Sequence, residues 1–213
     1  MSDAEDAAQS HEQHEEIEPA MSDAARSTYH HGDLRAALIS TAMGMLERGE
    51  TFSIRAVARE AGVSATAPYR HFPEREALES ALAAEGLRNL GEDLRRGRAL
   101  PTTVEELAEF GVAYVEFALR RPALFRLMFG NECNTDDEDR VQAAAEIHEL
   151  LGAAIAGVFP DADPLDLALG GWGAVHGLAF LYMDRKLTAA STEEIAAQVR
   201  ASLRAVFTAR PRG

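Results

Sequence analysis

One stretch of the sequence, GVSATAPYRHF at residues 62–72, combines polar, basic and helix-breaking residues and leaves two alternatives open. Gly62, Pro68 and Pro73 favour an irregular turn, whereas the residues between them could form a short helix that contacts DNA. The chain as a whole carries a formal net charge of −14, and nucleic acid repels acidic proteins. Any contact with DNA must therefore be local.

The charge is distributed unevenly along the chain. Residues 1–25 hold eight acidic groups and no Lys or Arg, and residues 76–213 hold 22 acidic against 14 basic groups. Residues 26–75 hold seven Arg against five acidic groups, with three His in addition. Only this middle segment, which contains the opening stretch, could face a polyanion.

The residues around this stretch have the spacing of a helix-turn-helix. Three short helices are predicted, with Asp33, Ser53 and Ser64 as their N-caps. Gly62 permits the left-handed backbone of the turn between the second and third helices. Pro68 then falls so early in the third helix that it forfeits at most one hydrogen bond, and this favours a helix over a loop.

The rest of the chain is also predicted to be helical, and no strand-length alternation of apolar and polar residues competes. Capping boxes at Thr103–Glu106 and Ser191–Glu194 mark two helix starts. Further helices are predicted over residues 73–98, 138–158 and about 164–186. The predicted fold class is all-α.

The helix predicted near 164–186 is apolar all round, so it must be covered from several directions, and one cover in a chain of this size is a partner subunit. Gly170, Gly173 and Gly177 would let another helix approach closely. The weakly charged run Leu167–Met183 is 17 residues long, shorter than the roughly 20 residues of a membrane span.

No group of residues indicates an enzyme, a cofactor or a metal site. Cys133 is the only cysteine, which fits a reducing cytoplasm, and His148–Glu149 lacks the second histidine of a zinc-protease motif. Residues 1–20 lack the basic start and apolar stretch of a secretory signal. We expect a cytoplasmic protein whose acidic residues 1–28 form a disordered tail.

Residues 52–78, FSIRAVAREAGVSATAPYRHFPEREAL, resemble the DNA-binding domain of TetR-type transcriptional repressors. The matching features are V-A-x-x-A-G-V-S at 57–64, Y-x-H-F at 69–72 and a basic residue at 75. In addition, W-x-x-x-H-G at 172–177 and RPALFRLMF at 121–129 resemble the family branch whose regulatory domain is named for Trp-His-Gly. The resemblance implies a three-helix helix-turn-helix domain over 29–76, joined to a helical regulatory, ligand-binding and dimerisation domain over 77–213.

The resemblance also implies roles in DNA binding. Tyr69, His71 and Arg75 would contact phosphate, Thr66 would lie at the base edges, and arginines on the second and third helices would reach a guanine or a phosphate. The candidate DNA-binding residues are Arg55, Ser64, Ala65, Thr66, Ala67, Tyr69, Arg70, His71 and Arg75. The small side chains among them carry little base chemistry, so sequence preference would rest partly on DNA shape.

In the family, the two C-terminal helices of each subunit form the dimer interface, and a ligand pocket lies inside each regulatory domain. The candidate ligand-binding residues are Phe110, Tyr114, Phe117, Phe125, Met128, Phe129, Trp172, His176 and Phe180, although core packing is an alternative for each of them. The candidate dimer residues are Gly170, Gly173, Ala174, Gly177, Leu178, Leu181, Val199 and Val206. A pocket of aromatic and Met side chains would suit an apolar or flat effector.

These expectations combine into one functional prediction. The protein would be a ligand-responsive repressor that binds a near-palindromic double-stranded operator as a homodimer and is released by a small-molecule effector. An activator with the same DNA-binding chemistry is an alternative. Another is a ligand-binding or protein-interaction module whose DNA binding is weakened.

Overall fold

The computed structural model describes residues 23–130 and 137–209, with side chains from residue 34 onward. Within these residues the chain forms helices and no strand, which confirms the all-α prediction. In chain order the elements are α1 (Asp23–Glu47), α2 (Ile54–Glu60), a 3-10 helix (Ala67–Arg70), α3 (Arg75–Arg95), α4 (Val104–Arg120), α5 (Pro122–Gly130), α6 (Glu138–Val158), α7 (Pro164–Met183) and α8 (Thr192–Thr208). Most of the predicted tail, together with Cys133, lies outside the described residues.

At α2 and α4, capping side chains begin the helix where the sequence predicts it. The hydroxyl of Ser53 accepts a hydrogen bond from the N–H of Ala56 at 3.2 Å, which starts α2. At α4 the predicted capping box forms completely, because Thr103 accepts from the N–H of Glu106 while the Glu106 carboxylate accepts from the N–H of Thr103. The start of α4 is therefore fixed by hydrogen bonds among its own first residues.

Two predicted helix starts are wrong. Helix α1 begins at Asp23, so Asp33 is not its N-cap, and residues 23–28 belong to the helix rather than to a disordered tail. The one helix-disfavouring residue nearby, Gly32, is tolerated inside a helix at a cost of about 1 kcal/mol. Helix α3 begins at Arg75 instead of Pro73, because the intervening residue Glu74 has extended backbone angles (φ −141°, ψ 169°).

The chain divides into two compact units, and the second, Arg35–Gly213, holds most of α1 and every later helix. Within it, α4 contacts α3, α5, α6, α7 and α8, and α3 also packs against α5 and α6. The side chains of Tyr114, Phe117 and Val115 on α4 are fully buried. Helix α4 is thus the central helix around which the C-terminal part is built.

The N-terminal helices also bury apolar side chains. Val57 and Ala58 of α2 are buried together with Leu38 of α1 and Phe72, which follows the 3-10 helix. The guanidinium of Arg35 lies 5.6 Å from the centre of the Phe72 ring. Phe72 therefore serves the core, as the sequence predicts. Among the described residues, no helix is both long and apolar enough to cross a membrane.

Two glycines of α6 provide a matched test of this packing. A Cβ added at Gly157 would lie 2.4 Å from the backbone carbonyl oxygen of Pro101, whereas one added at Gly152 would meet nothing within 4 Å. We expect Gly157→Ala to destabilise the protein by about 1–3 kcal/mol, because backbone atoms must move to relieve the clash. Gly152→Ala should stabilise it by about 0.5–1 kcal/mol through helix propensity. Urea unfolding at one fixed protein concentration measures both, and equal stabilisation by the two would contradict the packing of α6.

Candidate nucleic-acid interface and effector pocket

The turn between α2 and the following segment has the predicted left-handed residue. Gly62 has a φ of +70°, a conformation that costs glycine little and other residues more. Its N–H donates to the carbonyl of Arg59 at 3.2 Å, and the N–H of Val63 donates to the carbonyl of Ala58 at 3.0 Å. These two bonds end α2 and set the direction in which the chain leaves it.

The predicted recognition helix starting at Ser64 is wrong, because the described chain forms only the 3-10 helix Ala67–Arg70 at this place. In an α-helix the carbonyl of Ser64 would accept from the residue four positions on, which is Pro68 and has no N–H. That carbonyl instead accepts from the N–H of Ala67 at 3.1 Å, an i to i+3 bond that tightens the backbone into a 3-10 turn. The Ser64 hydroxyl does not cap a helix, and it lies 3.4 Å from the hydroxyl of Thr66.

The side chains of this segment are nevertheless largely available. Thr66, Tyr69 and Arg70 are exposed, as are Ser64 and Ala65, while Ala67 is half-buried. On α2, which contacts the 3-10 helix, Arg55 is also exposed. Neither of these two arginines takes part in an ion pair within the described part of the chain. The surface therefore presents a phenol, a hydroxyl and two unpaired guanidinium groups.

Two predicted phosphate-binding residues have competing contacts. Arg75, the first residue of α3, forms an ion pair with Glu79 at 2.7 Å, and its guanidinium lies 5.4 Å from the centre of the Phe52 ring. His71 is half-buried, with its Nε2 atom inside the protein and its ring 6.4 Å from that of Phe72. A phosphate contact by Arg75 would have to replace this ion pair, in which the Arg75 side chain is 55% exposed and the Glu79 side chain 18%.

In the C-terminal part, three predicted pocket residues form a chain of hydrogen bonds. The indole N–H of Trp172 donates to the hydroxyl of Tyr114 at 3.1 Å, and that hydroxyl lies 2.9 Å from Nδ1 of His176. An indole N–H can only donate, so the hydroxyl accepts from it, and Nδ1 is the acceptor that remains for the hydroxyl's own proton among the described contacts. The proton of the neutral imidazole is therefore on Nε2.

Burial shifts the pKa of both titratable groups in this chain of hydrogen bonds. It raises the pKa of the Tyr114 hydroxyl, although the hydrogen bond from Trp172 partly opposes the shift. Burial also lowers the pKa of His176, because the charged imidazolium is poorly solvated among its neighbours. Both shifts favour the neutral forms on which the hydrogen-bond chain depends.

Aromatic rings surround the His176 imidazole. The ring centres of Phe129, Phe180 and Phe125 lie 4.7, 4.9 and 5.4 Å from that of the imidazole. The predicted ligand-binding residues on α5 and α7 are thus brought together, around a histidine. They form a packed aromatic cluster.

The enclosed space inside this part of the chain is small. It amounts to about 40 Å³ and is bordered by three of the nine predicted ligand-binding residues, Phe110, Tyr114 and Trp172. The other six predicted wall residues, which are absent from its lining, are Phe117, Phe125, Met128, Phe129, His176 and Phe180. Drug-sized ligands occupy pockets of roughly 300–1,000 Å³. The six residues therefore do not line this space, and a space of about 40 Å³ is smaller than a ligand-sized pocket.

A larger space lies between α6 and α7 and was missed by the sequence analysis. This groove, the α6–α7 groove, has a volume of about 720 Å³. Its lining residues are His148, Glu149, Leu151, Gly152, Ala153, Ala156, Leu165, Asp166, Ala168, Leu169 and Trp172. The small residues at 152, 153 and 156 were a signal in the sequence, since they leave space beside a helix that is apolar all round.

One face of α7, which carries most of the residues predicted for the dimer interface, is uncovered in the described part of the chain, and the interface itself stays a prediction. Added Cβ atoms at Gly170, Gly173 and Gly177 would meet nothing within 4 Å, and Leu181 is exposed. Leu178 is half-buried, as is Ala174, while Val206 of α8 is exposed. Val199 was assigned to the same interface, but its side chain is 0% exposed and belongs to the subunit's own core. Val199 lies on the apolar side of α8 that packs against α4 of the same subunit, and the sequence alone does not show which helix covers that side.

Comparison with protein families identifies the chain. A family model described as bacterial regulatory proteins, tetR family, matches residues 38–82. A second, described as the tetracyclin repressor-like C-terminal domain, matches residues 107–206. The chain belongs to the TetR family of transcriptional regulators. The predicted family is confirmed, and the resemblance to the Trp-His-Gly branch stays a prediction.

Solved structures and a curated relative agree with this assignment. A protein of unknown function from Rhodococcus sp. RHA1 is 31% identical with a TM-score of 0.69, over 82% of this chain and 95% of that one. The TetR family transcriptional regulator PfmR from Thermus thermophilus shares the fold at 17% identity and a TM-score of 0.57, over 82% of this chain and 99% of that one. An uncharacterised HTH-type transcriptional regulator from Haemophilus influenzae is 31% identical over 121 residues. That match covers 55% of this chain, which thereby spans 59% of the relative's length.

The histidine at the centre of the cluster gives a testable pH dependence. The unfolded chain takes up this proton near a pKa of about 6.5, and the folded chain only at lower pH. The stability contributed by neutral His176 is therefore complete above about pH 6.5 and is lost as the pH falls through that value and the lower folded pKa. NMR titration of the ring should give a pKa below 6.5. Urea unfolding should show a steeper loss of stability below neutral pH for the wild type than for His176→Phe, and equal pH slopes would contradict the assignment.

Proposed function

We propose that this protein is a ligand-responsive transcriptional repressor that binds a near-palindromic operator as a homodimer. The observation that carries the proposal is the exposed set of Arg55, Thr66, Tyr69 and Arg70 beside the Gly62 turn, inside the region that matches the DNA-binding family model. Hydroxyls and guanidinium groups of this kind bind phosphates and base edges. In this proposal the protein acts in the cytoplasm, where the DNA is.

The uncovered face of α7 supports the homodimer. Leu181 is 42% exposed, and the glycines at 177 and 173 lie one and two turns before it along the helix, where an added Cβ would meet nothing within 4 Å. A two-fold axis beside this face would bring the same residues of two subunits together and bury Leu181. It would also place two DNA-contacting segments on one molecule, as two half-sites require.

Charged contacts connect α1 with the helices of the C-terminal part. Arg121, between α4 and α5, donates from Nε to Glu47 at the end of α1 at 2.6 Å and from Nη1 to Asn89 of α3 at 3.0 Å. Asp139, in the first turn of α6, forms an ion pair with Arg35 of α1 at 3.5 Å and another with Arg88 of α3. An effector that shifts α5 or α6 would alter both connections and with them the position of α1. A difference in affinity between the two arrangements is the switch that we propose.

Alanine variants of the unpaired arginines test DNA binding. Each lost phosphate contact should lower the slope of log affinity against log salt by about 1 per subunit. We therefore expect Arg70→Ala to weaken binding to the promoter next to the gene and to a shuffled duplex by the same factor. Arg55→Ala should weaken promoter binding more than shuffled binding, by about 1–3 kcal/mol if it contacts a base. Fluorescence anisotropy at several salt concentrations measures both.

Lys186→Ala is the matched control, since it removes one exposed positive charge that takes part in no ion pair among the described residues and lies beyond the end of α7. It should leave affinity and salt slope unchanged. An equal loss in all three variants would show that net charge, and not this surface, governs binding. A loss in Arg55→Ala that is the same for both duplexes would rule out its base contact.

One observation favours a second candidate function, a ligand-binding or protein-interaction module with weakened DNA binding. The 3-10 helix Ala67–Arg70 replaces the α-helix that would lie in a major groove. The absence of any salt-dependent binding to the neighbouring promoter at low ionic strength would favour this candidate over the repressor. Where binding is found, a reporter fused to that promoter separates repressor from activator, because deletion of the gene raises expression in the first case and lowers it in the second.

A further inference from the structure

The α6–α7 groove is a ligand-sized apolar space bordered by α7. Its walls include Leu165, which is 77% exposed, and Leu169, with the small side chains of Ala153 and Ala156 opposite on α6. A volume of about 720 Å³ lies within the range of small-molecule sites. A bound apolar molecule would remove these leucines from water.

The charged residues that line the groove are of one sign. Glu149 of α6 and Asp166 of α7 border it, and no Lys or Arg does. Neither carboxylate forms an ion pair with a described residue. Glu149 also borders the neighbouring depression between α3 and α6, which Arg95 and Arg98 line, whereas Asp166 borders the α6–α7 groove and not that depression. The electrostatic potential in the α6–α7 groove is therefore negative, and a positively charged ligand would complement it.

Trp172 gives the groove an aromatic wall. Its indole borders both the groove and the enclosed space of about 40 Å³, which also share Leu151 and Ala168. The hydrogen bond to Tyr114 holds the indole in this place, and the ring centre of His148 lies 5.3 Å away. An indole face attracts organic cations more strongly than the other aromatic side chains do. Movement of this one side chain would join the two spaces.

We propose that the α6–α7 groove is a binding site for a lipophilic organic cation, with the apolar body against Leu165, Leu169 and Trp172 and the positive charge near Glu149 and Asp166. The proposal rests on the proposed function, because such a cation is then the class of effector that releases the operator. A bound cation spanning α6 and α7 would act on Asp139, which lies in the first turn of α6 and pairs with Arg35 of α1.

Trp172 is the only tryptophan of the chain, so its fluorescence reports on the groove directly. Two probes of nearly equal shape and opposite charge, tetraphenylphosphonium and tetraphenylborate, separate charge from hydrophobicity. We expect saturable quenching by both, with the cation bound about tenfold more tightly at low salt. Glu149→Gln combined with Asp166→Asn should abolish this preference and weaken the cation about tenfold.

The matched control is Glu74→Gln combined with Glu76→Gln, which removes two exposed charges at the start of α3 and should leave both affinities unchanged. Equal binding of the two probes, or an unchanged preference in the groove variant, would overturn the proposal. A third result would also overturn the proposal: neither probe quenches the dimer, and acrylamide reaches Trp172 only after the dimer dissociates. The groove would then be filled by the second copy.

Operator release is measured separately, by adding tetraphenylphosphonium to the protein–DNA complex. Release by the wild type but not by the groove variant supports the effector role. Quenching without release contradicts that role. Failure of the protein to bind DNA without any probe contradicts the proposed function alone, since the fluorescence titration needs no DNA.

Discussion

The hydroxyl of Tyr114 is the constraint on which the regulatory part depends. It lies on the central helix α4 in a side chain that is 1% exposed, where an unpaired hydroxyl would cost about 1–3 kcal/mol. Trp172 and His176, one turn apart on α7, satisfy it from both sides. Because one is a donor and the other an acceptor, the arrangement fixes the tautomer of the histidine and the rotation of α7 about its axis.

That rotation determines what the other faces of α7 do. With Trp172 and His176 turned toward α4, Val175 and Ala179 complete the core, and Leu165 and Leu169 are left outside. The apolar helix α7 therefore has one side exposed to water, and that side needs to be covered by a ligand, a partner subunit or both. The same interaction that closes the interior thus creates the groove and the uncovered face.

Part of the local chemistry could be predicted from the sequence, although the predicted N-caps Asp33 and Ser64 were wrong. Capping side chains at Ser53 and Thr103 and the positive φ of Gly62 all follow from residue type. The effect of Pro68 could not be predicted by counting lost hydrogen bonds. The carbonyl that Pro68 leaves without its α-helical donor accepts from the N–H of Ala67 instead, and the backbone forms a 3-10 helix rather than an α-helix. The residues of the candidate sites were predicted less well. Val199 shows the reason: an apolar stripe along a helix predicts that the stripe is buried, but not whether the residues that bury it belong to the same chain or to another.

Arg121 connects these parts of the molecule. It ends α4 two turns after Tyr114, and it precedes α5, whose Phe125 and Phe129 pack around His176. The N–H of Phe125 donates to the carbonyl of Arg121 at 2.9 Å, so a shift of the aromatic cluster acts on the residue that holds Glu47 of α1. The Arg121–Glu47 pair remains partly exposed, so it contributes only modest stability. In the proposed switch, a modest difference in ligand affinity is then enough to exchange one arrangement for the other.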